Sequence, residues 1–150
     1  MSDRSVEHST LVLERRYAAS PERAFAAWAD AAAKARWVGA SEGELELDFR
    51  VGGRERHGGT LPDGHVYAYE AIYRDIVPPE RIVYTYDMLI DGTRISVSLA
   101  TVDLRAEGDG TRLVYTEQGA FLDGHDTPGE RDQGMGSLLD ALGVELKSEQ

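Results

Sequence analysis

The sequence predicts an α+β domain in which a curved antiparallel sheet of about seven strands wraps around a long C-terminal helix. Three observations predict it: alternating segments joined by tight turns, two short helical segments after the first strand, and one helical stripe of apolar residues near the C-terminus. A chain of 150 residues supports one hydrophobic core, and no repeat or linker divides it. We therefore expect a flexible, polar N-terminus over residues 1–9 and a single domain over residues 10–150.

The first strand and the two short helices follow from local patterns. The segment TLVLERRYAA alternates between apolar and polar residues, which indicates a strand from residue 10. Ser20 and Pro21 then provide a hydroxyl N-cap and a proline at the first helical position, so a helix begins there. Asp30 can cap a second short helix that reaches Trp37 and stops near Gly39.

Six further strands are predicted from alternating and β-branched segments. They cover residues 44–51, 54–60, 66–76, 81–90, 94–105 and 111–119. Gly-Gly, Asp-Gly and Pro-rich turns separate them, and strands joined so tightly must be antiparallel. The sheet is therefore a meander.

A helical stripe predicts the C-terminal helix. Its members are Met135, Leu138, Leu139, Leu142 and Leu146. Three glycines, Gly134, Gly136 and Gly143, would each cost up to about 1 kcal/mol relative to alanine within this helix. Either they let the helix press closely against the sheet, which we favour, or the helix is shorter than the stripe indicates.

Composition excludes several classes of function. The net charge of -11 repels phosphate backbones and anionic headgroups, and no run of 18 apolar residues occurs, so neither nucleic-acid binding nor membrane insertion is expected. Without cysteine there is no disulfide, thiolate nucleophile or cysteine metal site. The opening residues lack the apolar stretch of a signal peptide, so we expect a cytoplasmic protein.

Several local strings resemble a known family. They are Ala19-Ser20-Pro21 with Phe25, the runs at 27–30, 35–37, 50–54 and 110–113, the string IYRDIVPPERIV at 72–83, and Gly134-Met135-Gly136-Ser137-Leu138. Over about residues 10–146 the chain resembles the START-like (SRPBCC) superfamily, in the group related to the C-terminal domain of the Hsp90 ATPase activator (AHSA1-like). The resemblance implies a helix-grip fold with a hydrophobic cavity between the sheet and the last helix. Members often carry tryptophan where this chain has Val38 and Met135, and these smaller or more flexible side chains would enlarge or soften the cavity.

Aromatic side chains are the main candidates for ligand contact. Tyrosines repeat with a period of two on two adjacent predicted strands, so those on each strand share a face. They either line a pocket or form core packing or an outer aromatic ladder. Trp28 and Trp37 either contact a ligand or, as we favour, dock their helices. The candidate ligand-binding set is Trp28, Trp37, Phe49, Tyr67, Tyr69, Tyr73, Tyr84, Tyr86, Met88, Tyr115, Glu117, Phe121, Met135 and Leu139.

Few residues suggest catalysis, and Glu117, Tyr73 and His57 are the candidates. If Glu117 faces inward, removal from water raises its pKa and allows proton transfer; if it lies at the sheet rim, it is solvated. His57 could form an acid–base set with Tyr67 and Glu117 across the sheet. The four histidines show no metal-binding spacing, and no nucleophile elbow, phosphate-binding loop or dinucleotide motif occurs, so neither metal nor cofactor is expected.

The sequence thus predicts a module that binds a small hydrophobic or aromatic molecule between the sheet and the C-terminal helix. One alternative is an enzyme of the cyclase, hydratase or lyase kind that uses tyrosine and glutamate side chains. Another is interaction with an Hsp90-like chaperone, which rests on the resemblance alone and is not favoured, since the activator's other half is not expected here. An exposed edge strand could pair two copies as a homodimer, although the acidic surface opposes close approach.

Overall fold

The computed structural model describes residues 4–40 and 43–148. Residues 1–3 of the predicted N-terminus and 149–150 of the predicted domain lie outside these ranges. The described part contains seven strands and three helices: β1 (Val6–Tyr17), α1 (Pro21–Ala29), α2 (Ala31–Val38), β2 (Glu46–Leu47), β3 (Arg54–Thr60), β4 (Val66–Val77), β5 (Arg81–Ile90), β6 (Thr93–Glu107), β7 (Gly110–Leu122) and α3 (Pro128–Ser148).

The strands form one curved antiparallel sheet in the order β1-β7-β6-β5-β4-β3-β2. Burial alternates along β7, so one of its faces meets the core and the other is more open. Helix α3 packs against α1, α2 and β1, and the main core lies between the helices and the concave face. The predicted α+β helix-grip fold is confirmed.

Both predicted helix starts are confirmed by their caps. The Ser20 hydroxyl accepts a hydrogen bond from the Arg23 backbone N–H at 3.2 Å. The Asp30 carboxylate accepts one from the Ala33 N–H at 2.9 Å. Helix α2 ends at Val38 and is capped by Gly39, whose φ of 77° is the left-handed conformation that glycine adopts without strain.

Several strand boundaries differ from the prediction, by one residue at the end of β4 and by up to three residues at the ends of β6 and β7. Larger differences occur in β2 and β1. Strand β2 has two residues, because the chain turns back after it: the Gly52 N–H bonds to the Tyr73 carbonyl and the Gly53 N–H to the Arg50 carbonyl, both at 2.8 Å. Strand β1 begins at Val6, which pairs with Leu122 of β7. Residues 6–9, assigned from the sequence to a flexible N-terminus, are therefore part of the sheet.

The glycines of α3 behave differently from one another. The helix is full length, which contradicts the shorter alternative. A Cβ on Gly136 or Gly143 would lie 3.2 Å from side-chain atoms of Arg15 or Tyr17, so these two glycines permit close packing against β1. A Cβ on Gly134 would meet nothing within 4 Å, so close packing does not explain that position.

Candidate functional site

A pocket of about 900 Å³ lies between the concave face of the sheet and the helices. Strands β3, β4 and β5 supply one wall through inward-facing side chains at every second position. Helix α3 supplies another through Glu130, Gly134 and Leu138, which are spaced four residues apart and so share a face, together with Arg131 and Met135. The volume falls in the range of small-molecule sites.

Aromatic rings form much of the wall. Trp28 and Trp37 meet edge to face with centroids 4.8 Å apart. The Trp37 indole N–H donates to the Ala27 carbonyl at 2.9 Å, so this residue also fixes α2 against α1. Tyr69 stacks on His57 at 4.6 Å and lies 4.9 Å from Tyr86. These rings offer flat apolar surfaces to a bound molecule.

A buried ion pair lies beside these rings, where α2 faces β3. The Lys34 ammonium is 2.5 Å from the Glu55 carboxylate, and both side chains are nearly inaccessible, at 3% and 1%. The Tyr73 hydroxyl donates to the same Glu55 oxygen, Oε1. The ammonium also lies 5.1 Å from the Trp28 ring and 5.9 Å from the Trp37 ring, within cation–π range. We call Lys34, Glu55, Tyr73 and His57 the Lys34 cluster.

His57 completes this cluster on the pocket side. Its Nε2 is 3.7 Å from the second Glu55 oxygen, Oε2, which is too far for a hydrogen bond. Its Nδ1 lies 3.2 Å from the Tyr67 hydroxyl. Burial lowers the pKa of His57, with the charge of Glu55 opposing the effect, so the ring is neutral at pH 7.

A second buried ion pair connects α3 to the sheet. The Arg131 guanidinium lies 2.9 Å from Oε2 of Glu117. The same Glu117 oxygen accepts from the Ser98 hydroxyl at 2.9 Å, and Oε1 accepts from Tyr86 and Tyr115. Both carboxylate oxygens are therefore occupied, and Glu117 is 2% exposed.

The remaining nitrogen of the Arg131 fork is also satisfied. It donates to the Ser96 hydroxyl at 2.7 Å and to Asp126 at 2.8 Å. We call Arg131, Glu117, Tyr86, Tyr115, Ser96, Ser98 and Asp126 the Arg131 cluster. Its hydrogen bonds hold the first turn of α3 against β5, β6 and β7.

Other acidic residues line the pocket beyond the two clusters. Asp63, Asp91 and Glu130 are among them. His65 Nδ1 is 2.6 Å from Asp91, and this hydrogen bond raises the pKa of His65. Within the described ranges, no group of three or more histidine or acidic residues is arranged to hold a metal ion.

Comparison with known proteins places this chain in a family. The family model described as Activator of Hsp90 ATPase homolog 1-like protein matches residues 18–147. The chain belongs to this family. No match was found among curated proteins.

Solved structures of similar proteins share this fold. An uncharacterized protein from Rhizobium leguminosarum is 46% identical, with a TM-score of 0.92 over 97% of this chain and 98% of the other. The Mll3558 protein from Rhizobium loti is 48% identical, with a TM-score of 0.90 over 95% and 99%. The CV1439 protein from Chromobacterium violaceum is 28% identical, with a TM-score of 0.78 over 91% and 96%.

The structure places the candidate residues of this family member in two layers. Those that line the pocket are Trp28, Trp37, His57, Tyr67, Tyr69, Tyr84, Tyr86, Met88, Tyr115 and Met135. The others, which do not line it, are Phe49, Tyr73, Glu117, Phe121 and Leu139. Phe49 packs on Phe25 and Tyr73, and Phe121 lies 5.1 Å from the Arg131 guanidinium. These five support the wall from behind.

The predicted acid–base set is only partly assembled. His57 and Tyr67 are neighbours, whereas Glu117 belongs to the Arg131 cluster and has no contact with His57 among the described interactions. Glu117 faces inward as the first alternative required, but it is paired and fully hydrogen-bonded. The carboxylate beside His57 is Glu55.

Sequence reasoning missed four charged residues, and each had a positional signal. Glu55 is two residues before His57, so it shares the inward face of its strand. Arg131 precedes Met135 by four residues and continues the apolar stripe of α3 toward its start. Lys34 lies three residues before Trp37 on α2, and Asp126 lies close to Arg131 in the chain.

No helix in the two described ranges is long and apolar enough to span a bilayer. This finding accords with the absence of a long apolar run in the sequence.

Proposed function

We propose that this protein binds a small hydrophobic or aromatic molecule in the pocket between the sheet and α3. The observation that carries the proposal is the aromatic-walled space of about 900 Å³ next to a closely packed core. Protein interiors normally fill such space with side chains, because empty volume forfeits contacts.

The pocket is suited to moderate affinity. Burial of about 200 Å² of apolar ligand surface contributes about 5 kcal/mol before the costs of ordering. The hydroxyl groups of the pocket tyrosines provide hydrogen-bonding groups within the apolar walls. Burial raises the pKa of Tyr69, Tyr84 and Tyr115 well above 10, so these hydroxyls remain protonated at neutral pH.

A larger side chain at position 134 would fill part of the pocket and so test the proposal. Gly134 lies between Glu130 and Leu138 on the pocket face of α3, with open space around its missing Cβ. Gly134→Leu should therefore place a side chain in the ligand's volume while improving helix propensity by up to about 1 kcal/mol. Gly129→Leu is the matched control, because Gly129 is in the same helix, also has open space, and does not line the pocket.

The experiment is native mass spectrometry of the purified protein, followed by thermal-shift titration with lipids, sterols and aromatic polyketides. We expect a bound species or a saturable stabilisation in the wild type and in Gly129→Leu, and its loss in Gly134→Leu. Ligand-free protein with no stabilisation by any compound would contradict the proposal, as would equal binding by all three proteins.

An acid–base enzyme is a second candidate because of one observation. His57 is a neutral ring in the pocket, with Glu55 and Tyr67 as neighbours, and perturbed titratable groups in a cavity are typical of reaction sites. In the tautomer that donates its Nδ1 hydrogen to the Tyr67 hydroxyl, His57 would accept the proton at Nε2 in a cyclisation, hydration or elimination. His57→Gln should then abolish turnover while leaving folding intact. Turnover unaffected by the change would rule out this role for His57.

A further inference from the structure

One oxygen of the buried Glu55 carboxylate has no protein partner. Oε1 accepts hydrogen bonds from Lys34 and Tyr73, while Oε2 accepts none. Within the described ranges, the one other buried side-chain polar atom without a partner is the indole nitrogen of Trp28. Both residues line the pocket. A buried carboxylate oxygen without a donor is costly, and its position indicates a donor supplied by a bound molecule.

A potential donor lies beside this orphan acceptor. The Glu55 carboxylate faces Nε2 of His57 and favours a hydrogen on that nitrogen of the neutral ring, and the Tyr67 hydroxyl can then donate to Nδ1. Nε2 and the Glu55 oxygen are 3.7 Å apart, so one atom placed between them would lie within hydrogen-bond distance of both. The oxygen is closed off from water in this structure, so a ligand atom reaches it only when a neighbouring side chain moves. The pair thus presents a donor and an acceptor to one atom.

The charge of the pocket excludes anionic ligands. Five carboxylates line it, those of Glu55, Asp63, Asp91, Asp126 and Glu130. The lining cations among the described residues are Lys34, Arg131 and, when it is protonated, His65, and each is paired with a carboxylate. A ligand carboxylate or phosphate would therefore enter a negative field without a free cation to receive it.

We infer that the pocket recognises a neutral aromatic molecule through a hydroxyl group, which donates to Oε2 of Glu55 and accepts from Nε2 of His57. This inference rests on the proposed binding function and narrows its ligand class. A hydroxyl is both donor and acceptor on one atom, whereas a methyl ether lacks the donor. The same negative field attracts a protonated amine, but the amine has donors only, and at this position it would meet His57 N–H and the nearby Lys34 ammonium.

The test compares four probes that share a naphthalene ring and differ in the substituent at position 2. The probes are 2-naphthol, 2-methoxynaphthalene, 2-naphthoate and protonated 2-naphthylmethylamine, titrated into the full chain by calorimetry at pH 7.5. We expect 2-naphthol to bind at least about tenfold more tightly than the methyl ether, because a hydrogen bond to a charged acceptor is lost in the ether. The carboxylate and the amine should bind more weakly than 2-naphthol.

Two variants locate the contact. Glu55→Gln places an amide donor where the orphan acceptor lies, so the preference for naphthol over its ether should disappear or reverse. Glu70→Gln is the matched control on the same sheet, since Glu70 is paired with Arg56 and does not line the pocket. His57→Phe retains a ring on Tyr69 but removes Nε2, and it should reduce the preference even if Glu55→Gln does not fold.

The outcomes separate this inference from the proposed function. Equal binding of naphthol and its ether by the wild type would overturn the hydroxyl inference and leave aromatic binding in place. Tighter binding of the amine or the carboxylate would also overturn it. Failure of all four probes to bind, together with ligand-free protein in native mass spectrometry, would instead reject the pocket as a ligand site.

Discussion

The two buried ion pairs of this domain differ in how completely they are satisfied. In the Arg131 cluster, Glu117 receives donors on both oxygens, and Arg131 reaches the hydroxyl of Ser96 and the carboxylate of Asp126 as well. In the Lys34 cluster, one Glu55 oxygen takes two donors and the other takes none. Both pairs are almost fully removed from water.

This difference distinguishes a polar network that holds the fold together from one that leaves an unpaired acceptor beside the pocket. A saturated network in a low-dielectric interior fixes its elements in one arrangement, and here it holds the start of α3 on the sheet. An incompletely satisfied network costs stability unless something else completes it, and here it faces the pocket. Under the proposed function, Arg131 anchors α3 and Glu55 recognises the ligand.

Breaking the saturated cluster should have the largest effect. Arg131→Met leaves Glu117 buried without a cation and removes donors from Ser96 and Asp126. We expect a loss of about 3–5 kcal/mol in the free energy of unfolding, measured by urea denaturation monitored by circular dichroism.

The control for this change is Arg81→Met, because Arg81 forms an exposed pair with Asp75. Exposed pairs contribute little, so we expect a loss of no more than about 1 kcal/mol. If the two variants lost similar amounts, the Arg131 cluster would not be the anchor of α3.

Replacing both partners of an ion pair should change the free energy of unfolding less than the Arg131→Met variant does, and it allows the two clusters to be compared directly. Lys34→Met with Glu55→Gln leaves no unpaired charge and keeps an amide acceptor for Tyr73. Arg131→Met with Glu117→Gln also removes the pair, but it leaves Ser96 and Asp126 without their donor. We therefore expect the second double variant to be less stable than the first by at least about 1 kcal/mol.

The same denaturation experiment, with each single variant included, gives the coupling energy of each pair. A Lys34 and Glu55 double variant that is the less stable of the two would reverse the assignment of structural and recognition roles.

The fold could be predicted because its signals are local. Ser20 and Asp30 cap helices with their own neighbours, and alternation along β7 is visible within one strand. Strand β2 was predicted too long because its end is set elsewhere: Gly52 bonds to Tyr73, which lies on β4. Local patterns do not contain such a contact.

The site was harder to predict because its polar members are stabilised by distant partners. Lys34 and Arg131 would ordinarily be solvated, and only their pairing with Glu55 and Glu117 across the fold permits burial. The period of two grouped Tyr67 with Tyr69 on one face, but it could not say whether that face is the concave one.

Histidine titration tests the environment of the Lys34 cluster with the smallest energetic effect. Burial lowers the pKa of His57 below its ordinary value of 6.5, whereas the hydrogen bond to Asp91 raises that of the exposed His65. Two-dimensional NMR of the imidazole nitrogens between pH 4 and 9 should show His57 titrating below 6.5 and His65 above it. His57→Phe identifies the His57 signals by their disappearance.

The sign of the stability effect follows from these directions. Between pH 6.5 and the lower folded pKa of His57, the unfolded chain binds more protons at this residue than the folded chain. Stability should therefore fall as the pH is lowered through this window in the wild type, and less steeply in His57→Phe. The folded chain binds the His65 proton at a higher pH than the unfolded chain does. The stabilisation from His65 is therefore fully present below pH 6.5 and is lost as the pH rises through its folded pKa. A His57 that titrates above His65 would mean that Glu55 outweighs burial, and the ring would then present two donors to the pocket.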